Sequence, residues 1–370
     1  MNKLLFTPGP LTTSVSIKRE MLFDYGSRDN SFKKSIIFIR NELVKLACIN
    51  SKKQDLYTSI LMPGSGTYSN EAVLNSCIQK NDTNNTLLII INGKYGNRLK
   101  DIALKLSINI KILTYSEQDA IQITDVEKII KENDDIKYIA MVHHETSTGQ
   151  INPIEQVGNI SKKYNKVLIV DAMSSFGAFE LDIYNFNIDF LISSSNKCLE
   201  GIPGLGFVIC KISSLQNSNH SNSISLDILE QWKNFEKNNE FRFTPPTHSV
   251  MAFAKALDEL ENDEGMLGRI KRYKENYNIL KIGMKKLGFK CFLSDDLQGY
   301  FITSFLYLEN PNFIFDDFYN KLNDKGYILY AGCLTEIETF RIGNIGQIYE
   351  KDIINLLENI KVILNEMNIN

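Results

Sequence analysis

The sequence predicts an α/β fold, with a large domain on a mostly parallel, seven-stranded sheet and a smaller α+β domain behind it. Three observations carry this. Between residues 56 and 211, short apolar runs alternate with amphipathic stretches, the rhythm of strands joined by helices. The runs are nearly continuous in Ile, Leu and Val, as strands covered on both faces must be. After residue 211 the rhythm changes to helices interrupted by paired apolar runs.

The strands fall at 57–62, 86–91, 110–115, 137–142, 166–171, 189–194 and 206–211. Helical patterns lie between them at 68–79, 95–106, 123–132, 154–164 and 181–186. Residues 212–224 are rich in Ser and Asn and predict a surface loop. Helices are expected at 225–236, 248–263 and 265–287, then strands at 290–294 and 301–308. A helix at 314–325, strands at 327–332 and 338–343, and a helix from 350 complete the chain. The expected division is an N-terminal segment (1–20) serving the active site and small domain, a large domain (21–258) and a small domain (259–370).

Composition narrows the function. The 370 residues are 43% hydrophobic and 23% charged, enough apolar material for a large core. Forty-one basic residues against 44 acidic ones leave a net charge of −3, so no basic field points to nucleic acid or an anionic membrane. Runs such as 87–91 (LLIII) and 167–170 (VLIV) are too short to span a bilayer. Only Leu4–Phe6 precede the first proline, too little for a secretory signal, so a cytoplasmic chain is expected. Cysteines 48, 77, 198, 210, 291 and 333 are scattered without a CxxC pair, so reduced thiols are expected and no metal site.

Three segments carry chemistry. At 63–72 (PGSGTYSNEA), glycines flank Ser65 and Thr67 opens a helix. Free N–H groups and the helix dipole there suit a phosphate, although a simple capping turn has the same pattern. Asp171 ends the apolar run 167–170, where open parallel sheets place ligands; it is a helix cap or a site carboxylate. Lys197 follows an apolar strand and three serines and precedes a Gly/Pro-rich turn. It is either a loop lysine or a desolvated one able to lose its proton and attack a carbonyl. Together an anion cradle, a carboxylate and a lysine match the three needs of pyridoxal 5′-phosphate (PLP): its phosphate, its pyridine nitrogen and its aldehyde.

With these residues on the page, the chain resembles the class V, fold-type I PLP aminotransferases of the alanine–glyoxylate group. LLFTPGPLTTS, MLFD, GSGTYSNEAVL, NGKYGNR, IAMVHHETSTGQINPI, VDAMSSFGA, DFLISSSNKCLEGIPGLGFVI, FRFTPPTHSV and FRIGNIG run in the family's order over almost the whole chain. The likeness is closest to members that transaminate 2-aminoethylphosphonate with pyruvate. Alanine–glyoxylate or serine–pyruvate exchange is the alternative.

The resemblance implies roles. Ser65, Gly66 and Thr67 would bind the cofactor phosphate, and Tyr95 would stack on the pyridine. Thr146 would bond the phenolic oxygen. Asp171 would pair with the ring nitrogen, Met173 would pack on the opposite ring face, and Lys197 would be the covalent anchor and proton carrier. Thr244 would reach the phosphate of a neighbouring subunit, which implies a homodimer with shared sites. Arg341 would hold the substrate's acidic group.

Two segments depart from the pattern. Residues 24–32 (DYGSRDNSF) offer Arg28 as an extra anion contact or an exposed arginine. Phe241 stands where relatives carry a tyrosine, which leaves Arg242 and His248 as nearby candidates. His143 and His144 lack a metal-ligand partner at helical or CxxC spacing and are expected to be structural.

Overall fold

A computed structural model describes residues 3–332 and 337–369, so Cys333 lies outside the described residues. Seven strands form the main sheet: β1 (Tyr57–Pro63), β2 (Thr86–Ile91), β3 (Ile110–Thr114), β4 (Ile136–Val142), β5 (Val167–Asp171), β6 (Phe190–Ser194) and β7 (Leu205–Lys211). Their order is β1-β7-β6-β5-β4-β2-β3. β7 runs antiparallel to both neighbours, and the other pairs are parallel. Every residue of β2 and β6 is buried, and because side chains alternate across a strand, both faces of the sheet are covered. The edge strand β3 is half exposed.

Helices α1 (Asn30–Ala47), α2 (Gly66–Cys77), α3 (Lys94–Lys105), α4 (Ile123–Lys131) and α5 (Ile154–Lys163) supply the covering layers. They are followed by α6 (Ile228–Asn238), α7 (Thr247–Glu259) and α8 (Gly265–Lys286). α1 packs on β1 and α7, α3 on β2 and α5 on β5. One apolar cluster runs from Ile17 to Leu260. A second gathers Phe6 with residues from Leu280 to Ile369 around a three-stranded antiparallel sheet: β8 (Ile302–Leu306), β9 (Tyr330–Ala331) and β10 (Thr339–Gly343). Phe340 lies at the centre of its aromatic rings, touching Phe289, Phe305, Phe313, Phe315 and Phe318. Helices α9 (Phe315–Asp324) and α10 (Glu350–Glu366) close it. The N-terminal Leu4–Leu5 pairs in parallel with Tyr327–Ile328.

The structure departs from the pattern reading in places. Residues 181–186 form turns, not a helix. The Asp182 carboxylate accepts the backbone N–H groups of Asn50, Ser51, Tyr184 and Asn185, a local alternative that outcompetes a helical turn. The expected 212–224 loop opens with a short helix, Ile212–Gln216, anchored by buried Leu215. Residues 290–294 form no strand; a single bridge joins Cys291 to Phe305. The pattern reading also passed over α1 and a tight hairpin that pairs His144–Glu145 with Gln150–Ile151.

Gly158 in α5 marks where helix and chain approach most closely. A Cβ there would lie 1.8 Å from the backbone carbonyl oxygen of Phe186. Alanine would gain about 1 kcal/mol in helix propensity. Overpacking against a backbone that cannot rotate away costs roughly 1–3 kcal/mol or more and should win. Gly158→Ala is therefore expected to lower the urea midpoint at unchanged slope; a raised midpoint would contradict this packing.

Candidate active site

Parallel strands end on one side of a sheet, so their carboxyl ends share an edge. A cavity of about 190 Å³ opens there. Ser65, Gly66, Thr67 and Asn70 enter it from the turn after β1 and the start of α2, and Tyr95 and Arg98 from α3 after β2. Val142, His144 and Thr146 come from the end of β4, Asp171, Met173 and Ser174 from β5, and Ser194, Asn196 and Lys197 from β6.

Asp171 is 4% exposed. Its Oδ1 accepts the Met173 N–H at 2.9 Å and its Oδ2 accepts the Asn70 amide at 2.7 Å. Burial pushes its carboxyl above the usual range, opposed by those two donors and by the charges of Arg98 and Lys197. Lys197 donates from Nζ to the carbonyl of Pro8 at 2.7 Å. Gly9 presses against it with φ +110°, and a Cβ on Gly9 would sit 2.6 Å from Lys197 Cδ, so only glycine fits there. Burial draws the Lys197 ammonium down to about 8, assisted by the positive charges of Arg341 and Arg98.

At the start of α2, Ser65 is the capping residue, yet its hydroxyl makes no cap bond. Gly66 admits the Met173 side chain, whose sulfur lies 2.2 Å from where a Cβ would stand. The Tyr95 and Gly96 N–H groups reach Glu145 Oε2 at 3.1 and 3.2 Å, which fixes the start of α3. The Arg98 guanidinium lies 4.8 Å from the Tyr95 ring centre and 3.5 Å from Thr67 Oγ1. Burial holds His144, edge-on to Phe301, down at about 3, so it is neutral near pH 7.

Arg341 on β10 lies beside the cavity. It is 4% exposed and donates to the carbonyls of Thr146 at 3.0 Å and Ala331 at 3.3 Å. Among the described residues no carboxylate lies within ion-pair distance of it. Thr244 and Arg28 are not in this cavity. They line a surface hollow with Glu240, Phe241 and Arg242, and Arg28 is 4.0 Å from Glu240. Arg242 binds the carbonyl of Ile224, and His248 faces Asp24 at 3.7 Å.

Sequence reading missed Asn70 and Arg98. Each sits one helical step beyond an expected residue: Asn70 three positions after Thr67, Arg98 three after Tyr95. That spacing places them on a shared helix face and could have flagged them. Among the described residues no group of three or more His, Cys, Asp or Glu could hold a metal ion. Among them, too, no helix is long and apolar enough to cross a membrane.

The depressed Lys197 amine makes a pH test. Neutral amine, the form that attacks an aldehyde, accumulates as pH rises through about 8. Borohydride trapping of pyridoxal at Lys197, located by peptide mapping, should rise with pH and level off above about 8. A rise continuing to the ordinary lysine value of about 10.4 would mean the amine is solvated.

A family model described as "Aminotransferase class-V" matches residues 30–311. The bifunctional phosphonoacetaldehyde hydrolase/aminoethylphosphonate transaminase of Clostridioides difficile is 46% identical over 364 residues. The alignment takes in 98% of this chain but 56% of that protein, so the chain spans little more than half of it. The 2-aminoethylphosphonate–pyruvate transaminase of Phocaeicola vulgatus is 45% identical over 363 residues, 97% of this chain and 98% of the relative. The crystal structure of ureidoglycine–glyoxylate aminotransferase from Bacillus subtilis superposes with a TM-score of 0.89 at 22% identity, covering 100% of this chain and 94% of that one. That likeness speaks for the fold, and the sequence relationships go further: this chain belongs to the class V aminotransferase family.

Proposed function

We propose that this chain is a PLP-dependent transaminase that moves the amino group of 2-aminoethylphosphonate to pyruvate, giving phosphonoacetaldehyde and L-alanine. The observation that carries the chemistry is one cavity holding a lysine with a depressed ammonium, a buried carboxylate with two N–H donors, and a helix start whose capping hydroxyl is unused. The choice of substrates rests on the names of relatives aligned along nearly the whole chain.

The residues present fit PLP. Ser65, Gly66 and Thr67 would hold its phosphate, Asp171 its ring nitrogen, Thr146 its phenolic oxygen, and Tyr95 and Met173 would flank the ring. When bound, PLP supplies the electron sink for the substrate's reacting carbon. Lys197 would anchor the cofactor's aldehyde and, once its amine is free, would take the proton from the amine-bearing carbon and return it. Its low ammonium pKa suits both roles near neutral pH. Asp171 would keep a proton on the cofactor's ring nitrogen. Arg341, buried with carbonyl partners alone among the described residues, offers a planar fork to the phosphonate of the donor and the carboxylate of the acceptor in turn.

Thr244 is exposed, and it shares a hollow with Tyr68 and Phe243, 52% exposed each, at the outer end of the turn that begins α2. A second copy laid over this face would bury those rings and bring its own Thr244 toward the α2 start, which supports a homodimer with shared sites. Arg28, in the adjoining hollow, would cross in the same way.

The test is an amino-donor screen with pyruvate as acceptor, and with glyoxylate as acceptor for alanine, whose exchange with pyruvate gives no net product. The reading expects 2-aminoethylphosphonate to be consumed with the highest kcat/KM, ahead of alanine, serine and taurine. A preference for alanine or serine, with glyoxylate replacing pyruvate, would transfer the chain to the alternative exchange.

Arg341→Lys keeps the charge and loses the fork. It should slow both half-reactions, donor with the loaded enzyme and pyruvate with its aminated form, by about 10-fold or more, the scale of one charged hydrogen bond. Stopped-flow absorbance follows each half separately, and normal rates in both would make Arg341 structural.

A further inference from the structure

Asn70 has an unusual balance of hydrogen bonds. It stands on α2, 4% exposed, and its Nδ2 donates to Asp171 Oδ2 at 2.7 Å. Its own Oδ1 is equally buried and has no hydrogen-bond partner among the described residues. A buried carbonyl without a donor is unfavourable, and an apolar side chain at this place on a buried helix would avoid it. Leucine is also the better helix former. The fold therefore carries a cost at Asn70 that only its contact with Asp171 offsets.

That contact has one direction. An ionised carboxylate accepts and never donates, so Asp171 dictates that the amide turns its NH₂ inward. A donor held at Oδ2 stabilises the anion over the neutral acid. With Met173 N–H fixing Oδ1 at 2.9 Å, the carboxylate plane is set by two donors from two elements, α2 and the turn after β5. We propose that Asn70 is a positioning residue that keeps Asp171 ionised and rotationally fixed, so that Asp171 holds the ring-nitrogen proton of PLP. This rests on the PLP reading of the cavity.

The other charged groups that act on Asp171 are Arg98, from α3, and Lys197, from the loop after β6, and both favour its anion. His143, from the end of β4, donates its backbone N–H to the Asp171 carbonyl, and its ring, bonded to Ser175, is neutral. Asn70 is thus the one neutral side chain that hydrogen-bonds the carboxylate among the described residues. Losing its donor should weaken the ionic pair of Asp171 with a protonated ring nitrogen, and the proton should leave the ring more readily.

The experiment reconstitutes wild type, Asn70→Leu and Asn70→Asp with PLP labelled with nitrogen-15 at the ring. The ring-nitrogen chemical shift is followed against pH. In Asn70→Leu the ring should lose its proton roughly one to two pH units lower than in wild type, a 10- to 100-fold change in that equilibrium. In Asn70→Asp the two facing carboxyls cannot both ionise, so they share one proton, a donor to Asp171 survives, and the ring should titrate close to wild type. A shift in Asn70→Leu that Asn70→Asp spares is the signature, because a residue that merely shapes α2 would move both variants alike or neither. Asn70→Ala replaces the leucine variant if leucine is not accommodated, with the same expected sign.

An unchanged titration in Asn70→Leu, or equal shifts in both variants, overturns the proposal. A borohydride step on wild type separates the two readings. If PLP is fixed to Lys197 and the titrations do not move, only the role of Asn70 falls. If nothing is fixed there, the cofactor reading falls and the role of Asn70 with it.

Discussion

A buried carboxylate that lines a cavity has to be answered by donors or by positive charge, and the site is organised around that need at Asp171. Taking an ion out of water costs several kcal/mol even after the protein relaxes. Asp171 meets part of this with two N–H donors and part with the fields of Arg98 and Lys197. Those cations are not neutralised in turn: Lys197 rests on the carbonyl of Pro8, and Arg341 next door rests on carbonyls too. Three positive groups against one negative group leave the region short of anions. A ligand carrying phosphate, and substrates carrying phosphonate or carboxylate, would restore the balance. Burial is the main cause of the lowered Lys197 ammonium, and the same imbalance assists it.

Sheet topology is what lets these groups meet. β1, β2, β4, β5 and β6 all finish on the edge where β7 begins. Because β7 runs backwards between β6 and β1, the turn that follows Lys197 is short and stays on that edge. The Gly64 N–H bonds the Gly204 carbonyl at 2.9 Å, so the α2 turn and the Lys197 turn are tied directly. Gly206 on β7 lets α2 lie close, since a Cβ there would stand 2.2 Å from Ser69 Oγ. The helix start and the lysine are thereby held at a fixed separation by backbone, the element least able to drift.

Legibility in the sequence followed this topology. Apolar runs end where strands leave the core, so Asp171, Lys197 and Ser65 could be found by looking at the end of each run, while Thr146 came from the family resemblance; the cavity gathers all four. In the main sheet strand edges agreed within a residue, because burial on both faces keeps most positions inside a run apolar. Asn70 and Arg98 escaped because a polar residue in a helix is most often solvated, and periodicity alone does not separate an inward amide from an outward one. The 181–186 segment has a helical spacing of apolar residues, but the Asp182 carboxylate spends its acceptors on four backbone N–H groups. Thr244 and Arg28 could not be placed by any single-chain argument, since one chain leaves them on its surface.

Position also has to be held from the far side. Three residues after Lys197, Glu200 is 1% exposed and adopts φ +59°, a conformation that costs a non-glycine residue about 1 kcal/mol or more. Its carboxylate accepts from Arg272 Nη2 at 2.7 Å, from the Tyr273 hydroxyl and from Gln347 Nε2 at 2.7 Å, and Arg269 stands 3.6 Å away. Arg269 also donates to the carbonyl of Cys198, the residue next to Lys197. Such a network is poor evidence of net stability, because desolvation consumes most of the attraction. Its consequence is geometric. Every partner of Glu200 comes from α8 or the segment after β10, so the lysine turn is strapped to the C-terminal part of the chain while the N-terminal segment covers the amine from above. Removing one partner would leave the buried charge with fewer donors, so the partners act together. Lys197 is thus constrained by three separate stretches of sequence: directly by the N-terminal segment, and through its neighbours Cys198 and Glu200 by α8 and the segment after β10.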